Sequence, residues 1–372
     1  MNQIEVLVIL ILLIMTVPDL SRKLRRPTLA YPMYILFGML LSLMASREIT
    51  AMLIQAGQVG LLLLLFEVGL EIDLPEFRTF WKSLRFGLTW TLAQFPFIFL
   101  LASLSGLTVA EALLAASVLT GCSVGMSHHS WKHYRGMSEK VRTAVLHAMV
   151  ALEMLAIVGL SLHAMLDGAS PSLWLPVRLT GIAAIIWLIS RLATHVDRWF
   201  NSILGATTHW RVHLIVVLLL AVCAVGERLG FSAIKTAFFL GLFMSRSRHE
   251  GSTVEETIAP ISQRFLIPLL FVALGLQIGW RPLINIRMLL PLATAVFLLG
   301  WREILHRRWL PSGGGPRTFL LFGPNLTIAA LGAAMLLQRP GGEEPATWLL
   351  MSGFFLSIGS IVLLPPVEEE TA

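Results

Sequence analysis

Glu153 is the side chain with the most chemical leverage in this sequence. It stands near the middle of Thr143–His163, TAVLHAMVALEMLAIVGLSLH, an apolar stretch of membrane-spanning length. A carboxylate at bilayer depth costs roughly 2.5–3.5 kcal/mol on insertion scales, and such groups face a bundle interior or a water-filled cavity. Two readings compete. One is a protonated acid hydrogen-bonded between helices. The other is a carboxylate that holds a proton and a cation in turn, and it needs more oxygens nearby. Thr120-Gly121-Cys122-Ser123-Val124-Gly125 and Gly323-Pro324-Asn325-Leu326-Thr327 offer them. The hydroxyls of Thr120, Ser123 and Thr327, the amide of Asn325 and the carbonyls around Gly121 and Gly323 are hard ligands suited to Na⁺ or K⁺. Cys122 reads as a small packing residue beside them.

Those residues are useful only if the elements around them open at the right depth. Gly and Pro weaken helical hydrogen bonding, and in lipid such backbone is tolerated only inside protein or along a cavity. A packing kink explains either stretch alone. Paired interrupted spans in the two halves of a chain point instead to the binding site of a secondary transporter. Accessory candidates are Glu67 and Glu71, four apart on one helical face, and Lys235, which either pairs with a buried acid or snorkels to the surface. His128, His129 and His133 sit in a basic loop and read as a solvated face, and His147 as an interhelical hydrogen bonder.

Composition sets the class. Of 372 residues 56% are apolar and 13% charged, against about 25% charge in a soluble domain. Thirteen apolar runs follow one another, at 4–18, 28–46, 51–71, 84–105, 108–127, 142–164, 173–193, 209–227, 231–246, 263–280, 286–303, 318–337 and 345–365. The expectation is an all-α polytopic membrane protein, with residues 1–366 as one transmembrane domain and 367–372 as a short acidic tail. Twenty basic residues follow odd-numbered spans and six follow even-numbered ones. This places the N-terminus outside and the C-terminus inside. The net charge of +6 is therefore a matter of topology and no sign of nucleic-acid binding. Trp174, Trp210, Trp280, Trp309 and Trp348 fall near span ends and read as interfacial anchors. No glycine-rich phosphate loop accompanies a strand pattern, so nucleotide use has no support. No nucleophile–base pair or metal-ligand spacing points to an enzyme or to a cofactor.

Several stretches resemble the bacterial monovalent cation:proton antiporters. Leu65-Phe66-Glu67-Val68-Gly69-Leu70-Glu71-Ile72-Asp73 is similar to their third-span LF-x-x-GLE-x-D signature. Arg26-Pro27-Thr28-Leu29-Ala30-Tyr31 with Gly38-Met39-Leu40-Leu41 resembles their early P-x-x-x-G-Y, G-x-x-x-G region. Ser232–Gly241 resembles GAF-x-x-G, and Pro268–Leu276 resembles P-x-FF-x-x-x-G. The likeness covers nearly the whole chain and is closest to potassium-efflux and related sodium/proton exchangers, without their cytoplasmic nucleotide-binding domain.

That resemblance implies inverted repeats, unwound spans five and twelve that cross, and elevator-like alternating access. It also implies a homodimer in the inner membrane, with span two and its neighbours at the interface. It places Glu153 where the family has its carrier Asp in the sixth span, with Leu152 for a polar neighbour. A family base midway along span eleven is missing from Leu289–Gly300, and Arg302 comes later, toward the cytoplasmic end. Pro324-Asn325-Leu326-Thr327 replaces a Pro-Arg-Gly-Glu-like run. Two functions follow. The first is exchange of Na⁺ or K⁺ for protons through Glu153. The second is a transport-inactive relative serving as a membrane scaffold or partner-binding subunit.

Overall fold

The computed structural model describes residues 3–71, 77–134, 136–166, 211–228, 233–244, 248–249, 252–253, 258, 261–284, 289–309 and 315–365. Helix stands at every expected span within them. The helices are α1 (Gln3–Lys23), α2 (Ala30–Leu41), α3 (Arg47–Glu71), α4 (Phe77–Leu104), α5 (Val109–Leu119), α6 (Val124–Lys132), α7 (Glu139–Leu166), α8 (Arg211–Arg228), α9 (Ala233–Met244), α10 (Ile267–Ile278), α11 (Leu289–Trp309), α12 (Leu326–Leu337) and α13 (Glu343–Leu363). Seven stretches among the described residues are long and apolar enough to cross a membrane. β structure among them is limited to Arg248–His249 paired with Ser252–Thr253. The expected span at 173–193, Trp174, Trp210, Ser232, Asp73 and the tail from 367 lie outside the described residues. So do the side chains of Glu71, His129 and Lys235.

The chain divides into two compact units. The first comprises Met1–Thr50, Pro75–Ala164 and Phe271–Ala372, and it contains Glu153 and both interrupted spans. The second comprises Ala51–Leu74 and Met165–Leu270. Inside the second, Glu67 on α3 is buried and accepts a hydrogen bond from Ser262, which opens a π-helical turn at Ser262–Leu266.

Local chemistry explains the first unit's boundaries. Thr108 caps α5 and forms a reciprocal capping box with Glu111, satisfying N–H groups that a helix start leaves orphaned. The turn before it passes through Gly106 at φ +93°, a left-handed conformation that suits glycine. The core is a cluster in which Leu152 of α7 joins Trp90 of α4, Cys122, and Phe319 to Phe322. Leu152 thus fills the core where the resemblance called for a polar neighbour. Trp348, expected as an interfacial anchor, is only 6% exposed and belongs to the interior.

The motif glycines have a packing explanation. A Cβ on Gly38 of α2 would strike the Val272 carbonyl, and one on Gly275 of α10 would strike the Ile35 carbonyl and lie 2.9 Å from the Met39 nitrogen. The two backbones therefore touch, as small residues allow in membrane helices. Gly275→Val is expected to destabilise the protein by about 2 kcal/mol or more through overpacking, read as a lower melting midpoint in detergent. Gly300 of α11 faces open space, and Gly300→Ala should leave that midpoint unchanged or raise it slightly, by up to about 1 kcal/mol.

Candidate functional site

The two interruptions fall where the glycines and proline put them. α5 stops at Leu119 and α6 starts at Val124, leaving 120–123 non-helical. The twelfth span begins as a 3₁₀ turn, Thr318–Phe322, breaks over 323–325 and resumes as α12. Pro324 has no N–H to give. A side chain at Gly323 would collide with the Ser360 hydroxyl of α13, so only glycine fits against that helix.

The breaks repair each other. The Ser123 N–H donates to the Pro324 carbonyl at 2.8 Å, and Cys122 Sγ donates to the Leu321 carbonyl at 3.3 Å. The Asn325 N–H donates to Ser357 Oγ of α13 at 3.0 Å. The Asn325 side-chain amide nitrogen reaches the Val118 and Leu119 carbonyls at 3.5 and 3.4 Å. These groups at the breaks thereby find internal partners, as backbone at membrane depth requires.

Glu153 sits at this crossing. Its Oε2 accepts the N–H of Val124, the first residue of α6, at 3.0 Å, and the residue is 4% exposed. A carboxylate at a helix start meets orphan N–H groups and the positive end of the helix dipole. Ser123 lies one residue before that N–H donor and is itself bonded to Pro324, so acid and crossing are joined through consecutive backbone groups. Thr120 donates to the Ala116 and Ser117 carbonyls at 2.8 and 3.1 Å, leaving its oxygen lone pairs as acceptors. Asn325 Oδ1 and Thr327 Oγ1 are buried without a partner among the described residues. Buried oxygens in that state are the ones a cation or a water would satisfy. The expected set of Thr120, Ser123, Glu153, Asn325 and Thr327 therefore shares the first unit, while Glu67, Glu71 and Lys235 belong to the second.

Arg302 corrects the expectation of a loop base. α11 runs on to Trp309, so Arg302 lies well inside the helix and is wholly buried. Its Nη1 donates to the Phe322 carbonyl at 3.0 Å, its Nη2 to the Leu119 carbonyl at 2.6 Å, and its Nε to Gln94 Oε1 at 2.7 Å. Leu119 ends α5 and Phe322 ends the 3₁₀ turn, so both carbonyls carry the negative partial charge of a helix end. The guanidinium neutralises the two ends at once. Span eleven does carry a buried base, two residues beyond the Leu289–Gly300 stretch from which one was missing. Gln94, the one amide in an apolar run from 84 to 105, is a sequence signal for a buried polar partner that the sequence reading above did not use.

Comparisons with known proteins bear on the family and the fold. The family profile described as "Sodium/hydrogen exchanger, transmembrane" matches residues 8–368. The Na(+)/H(+)-K(+) antiporter GerN of Bacillus cereus is 23% identical over 95% of this chain and 92% of its own length. The probable Na(+)/H(+) antiporter GerT of the same organism is 25% identical over 61% of each chain, so this chain spans about three-fifths of that relative. The solved sodium proton antiporter MjNhaP1 of Methanocaldococcus jannaschii superposes with a TM-score of 0.71 over 97% of this chain and 95% of its own, at 17% identity. The fold is that of a sodium/proton antiporter.

Two substitutions test the repaired breaks. Ser357→Ala strands the Asn325 N–H and should destabilise the protein by about 1–3 kcal/mol. Arg302→Met strands the Phe322 carbonyl and Gln94 Oε1, leaves the Leu119 carbonyl only its longer contact with Asn325, and should cost at least about 2 kcal/mol. Both are read as melting midpoints of purified protein in detergent.

Proposed function

The chain belongs to the sodium/hydrogen exchanger family, and from that membership we propose that it exchanges Na⁺ or K⁺ for protons across the inner membrane, with Glu153 as the carrier of either ion. The observation that carries the assignment is the placement of Glu153 on the first N–H of α6, beside two breaks that leave Asn325 Oδ1 and Thr327 Oγ1 without partners. A proton on Glu153 leaves the site neutral. A cation held by the carboxylate and neighbouring oxygens also neutralises it. An empty, charged carboxylate is expensive to carry through a low-dielectric interior, so the loaded forms cross and the empty one stays. One site that is mobile only when loaded gives exchange.

Ser123 and Thr120 supply further oxygens on one side of the crossing, and Asn325 and Thr327 on the other. The Arg302 charge holds the carbonyl ends apart from the cation and sets the local field. The orientation assigned is N-terminus outside and C-terminus inside, with residues 1–366 as one transmembrane domain. Removing Arg302 from the loop bases leaves the asymmetry of basic residues intact. Glu67, Glu71 and Lys235 stay as accessory candidates, and the homodimer remains an assignment by family.

The test is dissipation of a preset pH gradient in proteoliposomes on addition of Na⁺, K⁺ or Li⁺. Wild type should respond to at least one cation, and Glu153→Gln should lose at least about 99% of that response, because the shared carrier has been removed. An equal response from both proteins would make Glu153 a structural acid. No response from folded wild type would support a membrane scaffold instead.

A further inference from the structure

Arg302 makes two contacts that matter to the crossing and a third that has no evident link to it. The third goes to Gln94 of α4. Both residues are fully buried, at 0% exposure, and among the described residues no carboxylate partners the guanidinium. A guanidinium is a rigid planar fork with five N–H donors. Two carbonyls on its Nη atoms leave it free to rock about the line between them. An acceptor at Nε fixes the plane.

Gln94 is built to be that acceptor. Its Nε2 donates to the Trp90 carbonyl one turn earlier, at 3.0 Å, which uses the amide's donor side and turns Oε1 toward Arg302. The neighbouring pair repeats the tie, because Trp301 Nε1 donates to the Ala93 carbonyl at 3.0 Å. Consecutive residues of α4 thus hold consecutive residues of α11. The same helix presses Trp90 against Phe322, with ring centroids 5.6 Å apart. It also meets α7 closely, since a Cβ on Gly87 would lie 3.4 Å from that of Ala151. α4 therefore touches α11, the broken twelfth span and the helix that carries Glu153.

We propose that Gln94 is the positioning residue for the Arg302 guanidinium, locking its three-point clamp on the two carbonyl ends where the broken spans meet. Gln94 acts through Arg302 and touches no transported ion. The proposal rests on the exchange reading given above.

The test compares wild type, Gln94→Leu and Gln94→Glu in the proteoliposome assay, with folding checked by size exclusion and melting midpoint. Gln94→Leu keeps the volume and loses the acceptor, so maximal turnover should fall about tenfold through loss of orientation. The half-saturating cation concentration should stay within about twofold, since no ligand is removed. Gln94→Glu still offers an oxygen to Nε and, protonated on its other oxygen, a donor to the Trp90 carbonyl. It should retain at least about one-third of wild-type turnover. A packing role predicts the reverse order, with leucine tolerated and the buried acid damaging. Wild-type turnover in Gln94→Leu, or Gln94→Glu below Gln94→Leu, overturns the proposal. If Gln94→Leu does not fold, Gln94→Met replaces it, and failure of both to fold while Gln94→Glu folds assigns Gln94 to stability alone and also overturns it. A wild type that shows no cation-dependent exchange brings down the exchange reading itself, a result distinct from a failed ordering of the variants.

Discussion

Everything at the centre of this protein depends on one constraint: backbone groups released from a helix at membrane depth need partners inside the protein. Two spans are interrupted, and each supplies what the other lacks. The Ser123 N–H meets the Pro324 carbonyl, the Asn325 amide nitrogen meets the carbonyl end of α5, and one guanidinium meets both carbonyl ends. An unmade hydrogen bond to a buried group costs roughly 1–3 kcal/mol, and several would otherwise be lost together. Each break thus takes part of its hydrogen bonding from the other.

The same repair shapes the local electrostatics. Helix ends carry about half an elementary charge, and the crossing brings several ends together. Negative ends at Leu119 and Phe322 are met by Arg302. The positive start of α6 is met by Glu153. The fixed charge of arginine suits a role that never changes, whereas a carboxyl can exchange its proton for another cation. Residue types that look alike as isolated buried charges are thus assigned to different work by what each can give up.

Tight packing keeps the arrangement in register. Leu152 lies in the core cluster with Trp90 and Phe322, so the position beside Glu153 contributes to packing where the family resemblance called for polarity. Gly323 lets α13 approach the break closely enough for Ser357 to reach the Asn325 N–H. Gly38 and Gly275 bring α2 and α10 into backbone contact. Polar chemistry here is held by apolar volume.

Much of this was legible in the sequence because lipid allows few solutions. Long apolar runs must be helices, and a Gly-Pro-Asn inside one must open it, so the class, the two breaks and the buried acid at 153 followed from residue types and spacing. The family resemblance supplied the order of the spans and the pairing of the broken ones only as an analogy, and the base it called for midway along span eleven stands at Arg302, just past the stretch from which it was missing. Helix ends are weakly encoded, since α11 continues through a charged segment to Trp309, and Arg302 was therefore placed at the cytoplasmic end of its span and counted with the bases that follow it. Hydropathy along one chain reports depth, and cannot report which side chain from a distant helix reaches a given carbonyl. The meeting of residues 94, 119, 302 and 322, and of 124 with 153, was decided by tertiary packing. These contacts join residues that are distant in sequence and satisfy groups whose loss is visible only once the helices cross.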